Sequence, residues 1–121
     1  MASVREIQVT VDCADPARVA RFWADMLGYV ADEDSASDPH GSGPRLYFQQ
    51  VPEGKVVKNR VHLDVRVGTG LVGEERLAVL EAEAARLVER GATRVRLLPA
   101  DDENESCLVM QDIEGNEFCL D

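Results

Sequence analysis

A chain of 121 residues with 13 basic and 23 acidic side chains has a net charge of −10. That is room for about one ordinary domain, and a poor balance for gripping nucleic-acid phosphates or an anionic membrane surface. With 45% hydrophobic and 30% charged residues the chain can fill a core, so disorder is not the default. No apolar run approaches the roughly 18 residues of a membrane helix, and Met1 to Glu6 forms no apolar signal segment, so a cytoplasmic protein with neither membrane nor nucleic-acid partners is expected. Cys13, Cys107 and Cys119 are odd in number and form no C-x-x-C pair, which predicts thiols outside any disulfide and no zinc ribbon.

Ile7, Val9, Val11 and Cys13 alternate with Gln8, Thr10 and Asp12, the period of a strand with one buried face. Asp15-Pro16 then supplies an N-cap followed by proline at the first helical position, and Val19, Phe22, Trp23, Met26 and Leu27 recur at helical spacing until Gly28. Trp23 is expected in the core. Tyr29 to about Asp32 reads as a short strand, and Asp34 to Pro44, with a solvated His40, as a loop that leaves this half one strand short. Leu46 and Phe48 alternate with Arg45, Tyr47 and Gln49 in a further strand that Pro52-Glu53-Gly54 stops.

The second half repeats that order. Val61, Leu63, Val65 and Val67 alternate with His62, Asp64 and Arg66; Leu77, Leu80, Ala84, Leu87 and Val88 mark an amphipathic helix closed by Gly91. Val95 with Leu97, Cys107 to Met110, and Phe118 with Leu120 predict three strands, the last two joined by the turn residues Asp112 to Asn116. The acidic runs Asp32-Glu33-Asp34 and Asp101-Asp102-Glu103 read as solvated turns. The expected organisation is one domain over 1–121, with module one about 1–54 and module two about 58–121.

A first strand running into Asp15-Pro16, a helix with Phe22-Trp23 and Leu27-Gly28-Tyr29, His62 within Lys58-Asn59-Arg60-Val61-His62-Leu63-Asp64-Val65, and the closing Asp112-Ile113-Glu114-Gly115-Asn116-Glu117-Phe118 follow one another along nearly the whole chain. In these features the sequence resembles the vicinal-oxygen-chelate superfamily of glyoxalase I, extradiol dioxygenases and the bleomycin- and fosfomycin-resistance proteins, and most of all its small glyoxalase-like domains. The resemblance implies an α+β fold of paired βαβββ modules whose curved mixed sheets surround a cleft, commonly holding a divalent metal, in a homodimer. Alternation then puts Gln8, Tyr47, His62, Asp64, Glu117 and Cys119 on the polar faces, as candidate contacts to a small-molecule ligand.

The resemblance also carries a ligand set across. The family's first-strand metal ligand falls on Gln8, its first-module glutamate near Tyr47, its mid-chain histidine on His62 and its last-strand glutamate on Cys119. Only His62 matches well. Gln8 is a weak neutral donor, Tyr47 an unusual one, and the Cys119 thiolate suits zinc rather than iron or manganese, so a cleft without a metal cofactor is the expectation and a divalent metal the alternative. If the protein is an enzyme, a lyase, isomerase or dioxygenase, His62 and Glu117 are the candidate catalytic groups; otherwise it binds or sequesters a small molecule, or serves as a ligandless dimerisation module.

One motif competes. Gly68-Thr69-Gly70-Leu71-Val72-Gly73 has the spacing of a dinucleotide fingerprint between a strand and a helix. Thr93, Arg94 and Arg96 stand where an acidic ribose ligand is expected, and too few residues follow for a doubly wound sheet, so the glycines read as a module connection and nucleotide binding as a remote alternative.

Overall fold

The structure, a computed structural model, describes residues 3–121. The chain divides into two compact units, one ending at Gly54 and the next beginning at Lys55. Each is a βαβββ module with a four-stranded mixed sheet.

In the first unit, β1 (Gln8–Cys13) leads into α1 (Pro16–Leu27), followed by β2 (Val30–Ala31), β3 (Ser35–Ser37) and β4 (Arg45–Gln50). The Asp15 carboxylate accepts the Arg18 N–H at 3.3 Å, Pro16 opens the helix, and Gly28 ends it in the left-handed region at φ 71°. Val19, Ala20, Phe22, Trp23 and Met26 are buried in α1, which packs over β3 and β4, where Ala36, Leu46 and Phe48 are buried in turn. Phe22 and Trp23 meet edge to face with centroids 6.3 Å apart. The strand order is β1-β4-β3-β2, with β1 and β4 parallel.

The expected missing strand is present. Ser35 and Ala36 are buried and pair with Tyr47 and Leu46 of β4, so the first module is complete and the loop reading of Asp34 to Pro44 is corrected at its start. Ser-Ala-Ser carries no β-branched or large apolar residue to announce a strand, and tertiary pairing, not propensity, makes it one. Ile7, read as part of β1's buried face, lies before the strand and is 70% exposed.

In the second unit, β5 (Leu63–Val65) leads to α2 (Gly73–Glu89), then β6 (Thr93–Leu98), β7 (Cys107–Gln111) and β8 (Glu117–Leu120), in the order β5-β8-β7-β6 with β5 and β8 parallel. Leu80, Ala84 and Leu87 of α2 are buried on the sheet side, and Leu108, Met110, Phe118 and Leu120 of the strands are buried too. Asp112, 2% exposed, builds the β7–β8 turn by accepting the N–H groups of Glu114 and Asn116.

Three sequence expectations need correction here. The strand read over Val61 to Val67 is only β5, and Val61 is exposed, because the chain before Leu63 is fastened by side chains rather than by a ladder. Val88 is 46% exposed, beyond the last buried turn of α2. In β6 the register shifts between Arg94 and Arg96, so Leu97 lies opposite buried Leu108 while Val95 is left 47% exposed.

The glycine motif belongs to a mixed sheet, whereas a dinucleotide fingerprint works in a parallel sheet covered on both faces. Gly68 has a different use. A Cβ there would meet the Arg76 side chain at 3.1–3.3 Å, and the Gly68 carbonyl accepts from Arg76 Nη1 at 3.0 Å. Arg76, 5% exposed, also donates to the Ser106 carbonyl at 3.0 and 2.7 Å and to Asp121 at 3.1 Å. A buried guanidinium with every arm engaged locks the β5–α2 connection to β7 and the end of β8.

Candidate functional site

Because Leu108, Met110, Phe118 and Leu120 occupy the helix side of the second sheet, alternation places Cys107, Val109, Gln111, Glu117 and Cys119 on the other side. The β6–β7 pairing adds Arg96 opposite Val109 and Leu98 opposite Cys107, and the β5–β8 pairing adds Asp64 opposite Cys119. A cavity of about 800 Å³ opens on this face. All its lining residues lie in the second unit: Leu98, Pro99, Ala100 and Val109 give it apolar walls, and Lys58, His62, Asp64, Arg96, Cys107 and Cys119 the groups with chemistry.

Of the sequence-predicted site residues, the fold brings His62, Asp64 and Cys119 together. Their ligand atoms all lie within 4.8 Å of one another, and His62 Nε2 is 3.2 Å from Asp64 Oδ1. Two residues apart, His62 and Asp64 lie on one side of the chain entering and forming β5, and parallel pairing sets Cys119 beside them. Both His62 and Asp64 are half exposed; Cys119 is 8% exposed.

The Cys119 thiol is pushed up to about 12, first by burial and then by Cys107 and the Asp64 carboxylate, so it is protonated at neutral pH. Cys107 is raised too, mainly by burial, with the hydrogen bond between the two thiols acting the other way. None of the three cysteines forms a disulfide.

Glu117 lies on the same face but is fully engaged. Its carboxylate accepts from Lys55 Nζ at 2.9 and 3.0 Å, from the Asn59 N–H at 2.8 Å and from Gln111 Nε2 at 3.4 Å. The Asn59 side chain accepts the Glu117 N–H at 2.8 Å and donates to the Val61 carbonyl. Burial pushes the Glu117 pKa up, but these donors outweigh it and hold the carboxyl below its ordinary value. A carboxylate so held fastens the segment before β5 to β8.

Gln8 and Tyr47 lie in the first unit, on the face of its sheet turned from α1. Gln8 stands opposite Arg45, which donates to its Oε1 at 2.6 Å; Tyr47 stands opposite Thr10, with the Arg45 guanidinium 5.6 Å from its ring centroid. Sequence reading missed Lys58, Arg96 and Cys107. The β6 bulge hid Arg96's face, and only the β7–β8 register makes Cys107 a neighbour of Cys119.

The divalent centre implied by the fold's relatives does not fit these residues. An amide, a phenol and a buried protonated thiol replace three of the expected donors, and hard ions such as manganese or iron favour carboxylate and imidazole. No step is derived through such a metal.

No curated protein sequence matches the chain. Solved structures do. FosX, the fosfomycin resistance protein of Listeria monocytogenes, in a form complexed with Mn(II) and 1S,2S-dihydroxypropylphosphonic acid, superposes with a TM-score of 0.70 at 12% identity over 99% of this chain and 90% of that one. A glyoxalase/bleomycin resistance protein/dioxygenase family enzyme from Burkholderia phytofirmans gives 0.65 at 14% identity over 93% and 94%. A hypothetical protein from S. aureus gives 0.65 at 12% identity over 98% and 97%. At such identities the likeness speaks for the fold alone. The family model described as a glyoxalase-like domain spans residues 8–120, nearly the whole chain, and on that match the protein belongs to the glyoxalase-like domain family.

Proposed function

We propose that this protein binds a small amphipathic anion in the cavity on the open face of its second sheet, with no hard divalent ion as cofactor. One observation carries this reading: on the sheet side of the cavity Lys58 and Arg96 have no ion-pair partner, whereas Glu117 is taken by Lys55 and Asp121 by Arg76 and Arg66, and the other carboxylates of the lining are Asp64 beside His62 and the exposed Asp101 and Glu105 of the β6–β7 connection, of which Asp101 is engaged by the Glu103 and Asn104 N–H groups. The cationic groups left to a ligand sit beside the apolar surface of Leu98, Pro99 and Val109. A negatively charged head and an apolar body match that distribution better than the cation suggested by the net charge of −10, which is a property of the whole surface. In this reading His62 contacts the ligand, Asp64 orients the imidazole, and Glu117 holds the wall through Lys55 and Asn59.

Isothermal titration of metal-free protein with phenylphosphonate, benzoate and benzylamine tests this. The two anions are expected to bind and the amine not, and Arg96→Ala combined with Lys58→Ala weakens anion binding about tenfold. Equal binding of the amine, or anion affinity unchanged in the double variant, refutes the proposal.

A further inference from the structure

We infer that the ligand of this face is a diester-like anion, one negative centre with an uncharged apolar arm on either side, and that its second arm lies in a separate hollow beside the cavity. The inference rests on the anion reading above and narrows it to a ligand class. The hollow, of about 480 Å³, lies on the open side of the second sheet toward the β7–β8 turn, with Val57, Val95, Val109, Gln111 and Glu114 among its walls. Lys58, Arg96, Val109 and Glu117 line both spaces, so cavity and hollow meet at the two cations that lack an ion-pair partner.

The bulge in β6 builds the wall of the hollow. Arg94 lies opposite Met110 and pairs with Glu81 of α2, on the helix side, while Arg96 lies opposite Val109, on the open side. In regular alternation only one of Val95 and Arg96 could face the open side; the register shift admits both, an apolar group directly beside a cation. Val95 is 47% exposed and Val57, on the segment before β5, is 76% exposed, so both have apolar surface for a ligand to cover.

Charge along the face sets the shape of the ligand. Toward one end stand the exposed carboxylates of Asp101 and Glu105 in the β6–β7 connection, toward the other Glu114 of the β7–β8 turn. Both ends repel a second anionic group, whereas Lys58 and Arg96 between them attract one. Of the carboxylates near the middle, Glu117 faces Lys55 at 2.9 Å and Asp64 faces His62 at 3.2 Å. A terminal phosphonate or carboxylate with one apolar body fills the cavity and leaves Val57 and Val95 in water. A phosphate diester sets its charge on the two cations and covers apolar surface in both directions.

Isothermal titration of the full metal-free chain compares diphenyl phosphate with methyl phenyl phosphate, which carry the same charge and differ by one aromatic arm, and uses phenylphosphonate as the reference for anion binding itself. Diphenyl phosphate is expected to bind about tenfold more tightly than methyl phenyl phosphate. Val57→Ser combined with Val95→Ser, both at exposed positions, brings that ratio down to about twofold or less while circular dichroism stays unchanged. Equal affinity of the two diesters for the wild type, or a tenfold ratio that survives in the double variant, overturns the inference, and with phenylphosphonate bound it leaves the anion reading standing. Failure of all three anions to bind overturns both.

Discussion

Replacing Glu117 by Gln perturbs the second unit at the point where the segment before β5 is fastened to β8. The change keeps size but removes the charge that Lys55 faces at 2.9 Å, and one amide orientation sets an NH2 group against the Asn59 N–H. Hydrogen bonds to a charged group contribute about 1.5–3 kcal/mol, and breaking a buried ion pair costs about 3–5 kcal/mol. The Glu117 side chain is 8% exposed but Lys55 is 25% exposed and regains water, so the lower range applies and about 2 kcal/mol is expected. For a chain of this length that is a drop of roughly 8 °C in Tm. The pH dependence makes the test sharper. The folded-state pKa of Glu117 lies below the ordinary carboxyl value, so its contribution is present above the unfolded value of about 4.3 and is lost as pH falls through the folded one. Urea unfolding of wild type and Glu117→Gln at pH 7 and pH 3 should show a gap at neutral pH that narrows in acid. A gap of the same size at both pH values would refute the reasoning, because it would then arise from packing rather than charge.

Two further expectations rest on buried polar groups. Since Cys119 is raised to about 12, its unfolded thiol ionises first, and the stability it contributes is complete below about pH 8.5 and is lost as pH climbs toward 12. Cys119→Ser should therefore flatten the alkaline limb of the stability curve, and an unchanged limb would count against burial as the cause. Arg76→Met leaves the Ser106 carbonyl without its guanidinium donors and the Gly68 carbonyl with the Leu71 N–H alone, and should destabilise by about 2 kcal/mol in urea; a loss under about 1 kcal/mol would mean that water replaces the guanidinium.

What could be read from the sequence depended on whether a local signal and the tertiary fold agreed. Asp15, Pro16 and Gly28 bracket α1 by local chemistry, and the structure places them at the helix ends. Ser35 to Ser37 carries no such signal and is a strand only because β2 and β4 lie on either side of it. Val61 shows the reverse case, an alternation that runs past the last ladder bond into a segment governed by Asn59 and Glu117. In the site, the sequence spacing of His62 and Asp64 puts them on one face, but their meeting with Cys119 and Cys107 is a matter of register across three strands. Arg76 was illegible for a related reason: a charged residue on a helix reads as solvated until three acceptors are found around it.

The parallel pairings have a consequence for synthesis. In each unit the first strand is held by the last, β1 by β4 and β5 by β8, so neither sheet can close until its final strand exists. A nascent chain can complete the first unit once Gln50 has emerged, while the second must wait for Leu120. Until then β5 has no ladder partner, and Asp64 and Cys119 share no surface. Such non-local closure slows folding and prolongs the exposure of apolar strands. Translation that stalls before β8 would thus release one finished module tethered to a partly collapsed one that lacks the sheet face on which the cavity opens.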